Sequence, residues 1–216
     1  FFIIIGFMLE VSMAQSSITY TMQTGNFNAI RIQNGNNPPY AGAYNNGATE
    51  MAEYANNNNG NAPGVAAFQT FTTSGVGTGT ARVLQPGDEF SITVYQGSIT
   101  SANASVGISF RSSTTYTAFS DRLTSTLAYF ELTSGGFWTI RYGTSFGSTI
   151  TTAAGTAADK TLKLKVKSAT SFDATINGVL YSNLSFNGSG SVASFCLWVY
   201  DNNNVGDTYW KNGLLT

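Results

Sequence analysis

The chain has 216 residues, 42% of them hydrophobic, and a net charge of −1 from ten basic and eleven acidic side chains. Enough apolar side chain is present to build a core, while the few scattered lysines and arginines cannot neutralise a run of phosphates. Nucleic-acid binding is therefore excluded, and steering to a membrane surface is unsupported. With no histidine and one cysteine, the chain has no disulfide framework and no material for the common zinc sites, a Ser-His-Asp triad or a Cys-His nucleophile.

The chain opens on FFIIIGFMLEVSMAQ, an apolar stretch followed by the small-x-small string Ser12-Met13-Ala14. That pattern suits cleavage after Ala14, so residues 1–14 read as a signal peptide lacking the usual Met and basic start, and the mature chain is expected to be secreted or at the cell surface. A buried first strand is the competing reading. Over residues 15–63, ITYTMQ and FNAIRIQ look like short strands. They are followed by an Asn/Gly/Pro-rich stretch over 34–63 that holds a helix-compatible insert, ATEMAEYA, and otherwise resists regular structure.

Residues 64–216 are expected to form a β-sandwich core, with 15–216 as one domain. Strands of four to nine residues recur between Gly, Pro, Asn and Ser: VAAFQTF, TGTARVL, EFSITVY, ASVGISF, TLAYFEL, FWTIRY, TLKLKVK, FDATI, VLYS, VASFCLWVY and DTYWKNGLL. That spacing indicates an all-β, two-sheet antiparallel sandwich. Lys163, Lys165 and Lys167 alternate with Leu162, Leu164 and Val166, the period of a strand with one dry and one wet face. Asn177-Gly178 supplies the two positive-φ residues of a type I′ turn, so FDATI and VLYS form a hairpin. Gln85-Pro86-Gly87-Asp88 places Pro and Gly as a type II turn requires. Cys196, mid-strand, reads as a small buried hydrophobe.

The succession PGDEFSITV, ASVGISF, YFEL, GGFWTIRY, LKLKV, the INGVLY hairpin, SFCLWVYD and YWKNGLL resembles the concanavalin A-like lectin/glucanase jelly roll, including laminin-G-like and bacterial secreted modules. The resemblance implies a sheet whose outer face forms a saccharide groove. Alternation then gives the candidates. Phe195, Leu197 and Val199 face the core and Trp198 and Tyr200 face away. Tyr129 and Glu131 oppose Phe130 and Leu132, and Arg111 opposes Phe110. If Trp138, Ile140 and Tyr142 face inward, Phe137 and Arg141 join the groove. Aromatic faces stack on pyranose C–H faces, and a carboxylate beside a guanidinium grips hydroxyls. The same pattern also fits Trp198 and Tyr200 buried under a loop such as the Asn-rich segment, with Arg111 and Glu131 a solvated cross-strand pair.

Glucanases of that superfamily carry Glu-x-Asp-x-x-Glu on one strand. No such string occurs here, and Glu131 is the one glutamate mid-strand on the candidate face, unless the fold brings Asp121 or Asp173 near it. The expectation is therefore a non-catalytic module, not an enzyme, that binds a polysaccharide or glycan. Its competitor is a structural or adhesive surface or filament subunit that self-associates. The string from Asp201 to Asp207 makes Asp201, Asn203 and Asp207 candidate calcium ligands, although Val205 breaks the EF-hand pattern and Asn-rich turns are ordinary. No other cofactor is expected.

Overall fold

A computed structural model describes residues 16–34, 40–56, 62–97, 99, 101–153, 155–201 and 206–216. The leader expected over residues 1–14, and Asn203 of the calcium reading, lie outside them. The described strands are β1 (Ile18–Tyr20), β2 (Ala29–Gln33), β3 (Ala41–Asn45), β4 (Glu50–Ala55), β5 (Gly64–Thr70), β6 (Glu89–Tyr95), β7 (Ser105–Arg111), β8 (Thr126–Thr133), β9 (Trp138–Tyr142), β10 (Ser148–Thr151), β11 (Lys160–Ser168), β12 (Ser171–Ile176), β13 (Val179–Ser185), β14 (Ser194–Tyr200) and β15 (Thr208–Leu215).

They pair into two antiparallel sheets. Sheet I runs β13-β12-β11-β6-β15-β4-β3, with β1 added along the end of β15, and sheet II runs β10-β9-β8-β7-β14-β5-β2. Neighbours far apart in sequence, such as β14 between β7 and β5, give the crossed connections of a jelly-roll sandwich. The inner faces follow the expected alternation. Leu162, Leu164 and Val166 are buried along β11, as are Phe172, Ala174 and Ile176 on β12 and Phe195, Leu197 and Val199 on β14. At the centre the Phe90 and Phe195 rings stack at 4.9 Å, with Tyr20 and Phe71 edge-on to Phe90. Tyr20 keeps its hydroxyl satisfied there, donating to the Thr72 carbonyl at 2.9 Å and accepting from the Thr72 amide at 2.8 Å.

Both turn assignments hold. Asn177 and Gly178 have φ of 49° and 85° at the tip of the β12–β13 hairpin, and Gly87 has φ of 100° with the Asp88 amide bonded back to the Gln85 carbonyl at 2.9 Å. Three local readings are corrected. ATEMAEYA is strand β4, not a helical insert, because pairing with β15 and β3 wins over the helix-like spacing of its apolar residues. TGTARVL forms only one isolated bridge, between Thr72 and Ala81; it opens on a turn at Thr78 and is otherwise an irregular connection with Val83 exposed. Ala41–Asn45, in the stretch expected to resist regular structure, is edge strand β3 through its pairing with β4, and the short edge strand β10, with few apolar residues, carries no sequence signal.

Strand β4 also carries a charge-bearing group inward. Met51, Glu53 and Ala55 share a face, and Glu53 is fully buried, with the Trp210 indole N–H donating to its Oε2 at 2.8 Å. Its Oε1 has no partner among the described residues. Burial without a cation disfavours the carboxylate and pushes the Glu53 pKa up to about 8.

Candidate functional site

The outer face of sheet II gathers the sequence candidates in register. One row runs Arg31, Ala66, Trp198, Gly107, Glu131 and Thr139. The next runs Phe68, Cys196, Ser109, Tyr129, Arg141 and Thr149. Within the strands the side chains point to the expected sides: Trp138 and Ile140 are buried in the inter-sheet core and Tyr142 packs against it. The predicted openness is right for only half the face.

The other half is roofed by the connection between β7 and β8, residues 112–125. Within this strap, the Asp121 carboxylate accepts the Thr117 and Ala118 amides at 2.6 and 3.0 Å and the Thr117 hydroxyl at 2.8 Å, pinning the 3-10 turn Phe119–Arg122. Those donors, the Ala118 amide foremost, hold Asp121 below the usual carboxylate range. Tyr116, Phe119 and Leu123 point down onto Ala66, Phe68, Cys196, Trp198 and Tyr200. Phe119 stacks on Tyr200 at 5.8 Å, with the Arg122 guanidinium 4.1 Å over the Phe119 ring. Gly64 lies directly below Phe119, where any Cβ would strike the ring.

Two candidates therefore change role. Trp198 is 1% exposed and lies across Gly107, so it presents no stacking surface. Arg111 is fully buried and serves as the strap's strut, donating to the carbonyls of Ser113, Thr115 and Thr124 at 3.3, 3.0 and 3.2 Å. Its guanidinium also lies 5.1 Å over the Phe68 ring. Burial lowers its pKa, and its donors are taken by the strap carbonyls and, at 3.4 Å, by the Ser194 hydroxyl of β14. Tyr200 is half-buried under Phe119. Cys196 is fully buried, as expected, and burial drives its thiol pKa well up. Replacing Gly107 by Ala should force Trp198 to shift and cost about 1–3 kcal/mol, read as a lowered urea midpoint; an unchanged midpoint would show that the tryptophan has room to move.

Beyond the strap, over β8, β9 and β10, Thr139 is buried while Tyr129, Glu131, Arg141 and Phe146 are half-buried and Thr149 is exposed. Tyr129 sits directly opposite Arg141, and Phe146 packs edge-on against Tyr129 at 4.9 Å. Glu131 and Arg141 are half-buried, with Arg141 Nε 3.7 Å from Glu131 Oε2, an ion pair beyond hydrogen-bond distance. Arg141 donates to the Thr149 hydroxyl at 3.1 Å. Burial raises the Glu131 pKa, against the opposing pull of Arg141 and Arg122. Phe137, 48% exposed, stands just ahead of β9. Sequence reasoning missed Phe146, Thr149 and Arg122, whose placement depends on connections rather than alternation.

The second-carboxylate candidates are elsewhere. Asp121 caps the strap, and Asp173 lies on sheet I, paired with Lys167 at 3.5 Å. The calcium reading gains nothing: Asp207 accepts the Tyr44 hydroxyl, Asp201 is 2% exposed, and no group of three acidic or thiol side chains that could hold a metal exists among the described residues.

No family model matches the chain, and no curated protein matches it by sequence. Solved structures share the fold. A native glycosidic hydrolase matches with a TM-score of 0.54 at 7% identity, over 92% of this chain and 95% of its own. A glycosyl hydrolase family protein from Mycobacterium fortuitum matches at 0.52 and 11% identity, over 94% and 99%. A sialidase matches at 0.52 and 10% identity, over 83% of this chain, which spans only 16% of the sialidase. What these structures share with the chain is the fold, a two-sheet antiparallel jelly-roll sandwich. These matches correct the expectation that the chain is not an enzyme: the scaffold is one on which glycosidases are built, and the missing Glu-x-Asp-x-x-Glu string does not exclude catalysis on it.

Proposed function

We propose that the chain recognises a saccharide on the open half of the sheet II face, with Tyr129 and Phe146 as the stacking surface and the Glu131–Arg141 pair as the polar grip. The observation that carries this reading is the extent of the strap: it covers Trp198 and stops short of an aromatic beside a charged pair whose members do not hydrogen-bond each other. A mostly apolar patch with a few convergent polar groups is the usual composition of a sugar site. The shared fold with glycosidases supports the ligand class. We read the protein as extracellular on the leader-like pattern of residues 1–14.

A glycan array followed by titration tests the reading. At least one saccharide should bind, and Arg141→Ala should weaken it about tenfold. No binding to any saccharide, or equal binding by the variant, would sink it. Polymer formation with no saccharide bound would favour the structural-subunit alternative. Reducing ends released from a bound polysaccharide by the wild type and not by Glu131→Gln would add catalysis to recognition.

A further inference from the structure

The outer face of sheet I carries a second aromatic and polar cluster, on the side of the sandwich away from the strap. Tyr209 of β15 stands opposite Tyr95 of β6, with ring centroids 6.1 Å apart and planes inclined at 49°. Tyr95 is 36% exposed. Lys211, two residues along β15, is opposite both Thr93 and Glu50. Its ammonium reaches Asp159 at 2.6 Å and Glu50 at 4.0 Å, and the Asn46 amide donates to the other Glu50 oxygen at 3.0 Å. Asn46, Glu50, Tyr95, Asp159, Tyr209 and Lys211 line a hollow of about 200 Å³.

The aromatic surface continues across the sheet. The register runs Tyr95, Tyr209, Ala52 and Tyr44, and small Ala52 is fully buried between the two flanking tyrosines. The backbones of Tyr209 and Tyr44 lie two strand spacings apart, about 10 Å, and their side chains meet above Ala52. Tyr44 is held by donating its hydroxyl to Asp207 and by Tyr54, whose ring lies 6.4 Å away and over Gly42. These side chains are held by contacts with one another while Tyr44 and Tyr95 stay exposed and Tyr209 is half-buried, so a ligand has little to order on binding.

The chemistry selects a ligand class. Two tilted phenol rings offer apolar faces with polar edges, as a sugar ring requires. Glu50, Asp159 and Lys211 sum to one negative charge, which disfavours phosphates and uronates. The carboxylates and the amide leave acceptor positions that neutral hydroxyls fill without disturbing the lysine pairs. We propose that this hollow is a binding site for a neutral saccharide chain, distinct from the sheet II face and independent of it.

The test titrates neutral gluco-, galacto-, manno- and xylo-oligosaccharides, and one uronic-acid oligosaccharide, into wild type, Tyr95→Ala, Tyr209→Ala and Arg141→Ala, each checked for an unchanged melting transition. At least one neutral oligosaccharide should lose about tenfold or more in affinity in Tyr95→Ala. Tyr95 lies at the end of its strand and is partly exposed, so this variant keeps the test valid should Tyr209→Ala unfold. Full binding by a folded Tyr95→Ala variant, preference for the uronic-acid oligosaccharide, or binding lost only in Arg141→Ala would each overturn the proposal. The last result would leave the sheet II reading intact, and the expected one carries no implication for it.

Discussion

Replacing Glu53 by Gln is expected to remove a steep loss of stability on the alkaline side, leaving the variant about 3–5 kcal/mol more stable than wild type at pH 9. The cause is position. Glu53 is fully buried between the sheets with one hydrogen bond, from Trp210, and burial lifts its pKa from the ordinary 4.5 to about 8. Because the folded state holds this proton more tightly than the unfolded chain, the contribution is fully present below pH 4.5 and is lost as pH rises through 8. Over that window the slope is about 1.4 kcal/mol per pH unit. Gln keeps a carbonyl for the Trp210 N–H and cannot ionise. Urea midpoints at pH 5, 7 and 9 should therefore diverge between the two proteins, and parallel curves would show that Glu53 ionises without penalty.

Truncating Trp198 to Ala is expected to cost about 3–5 kcal/mol, as removal of a buried indole does. Trp198 bridges Gly107 below, Tyr129 at 6.0 Å and the strap's Phe119 and Leu123 through the same apolar cluster. The loss should thus spread to the strap, seen as faster amide exchange over residues 112–125. Phe137→Ala, removing a side chain that is 48% exposed, serves as the comparison and should change stability by less than about 1 kcal/mol. A Trp198→Ala protein as stable as wild type would mean that the strap does not pack on it.

The contrast between those two residues shows where the sequence was informative. Period-two alternation placed Phe195, Leu197 and Val199 in the core and Trp198 on the opposite side, because side-chain direction along a strand follows from local geometry alone. Whether that opposite side is wet depends on a segment sixty to ninety residues away. The string SSTTYTAFSDRLTS reads as polar turn, and its covering role shows only in Tyr116, Phe119 and Leu123 together with the missing side chains at Gly64 and Gly107. Alternation places Arg111 opposite Phe110 on the outer face, but its role as a strut is set by carbonyls of that same segment. On sheet I, alternation alone puts Tyr209 on the face opposite Trp210. Its meeting with Tyr95 needed the cross-strand register, which no pattern in either strand discloses. Strand β4 was obscured by Glu53, an inward carboxylate where an apolar residue would have marked the period.

The most direct test of saccharide recognition is a titration of isotopically labelled protein with a saccharide that binds, followed by amide and side-chain chemical shifts. Perturbations centred on Tyr129, Glu131, Arg141 and Phe146, with the strap residues 112–125 and Trp198 unmoved, are the predicted result. Shifts centred on Trp198 and Phe68, which require the strap to lift, or no shift on the sheet II face with any saccharide, would contradict it.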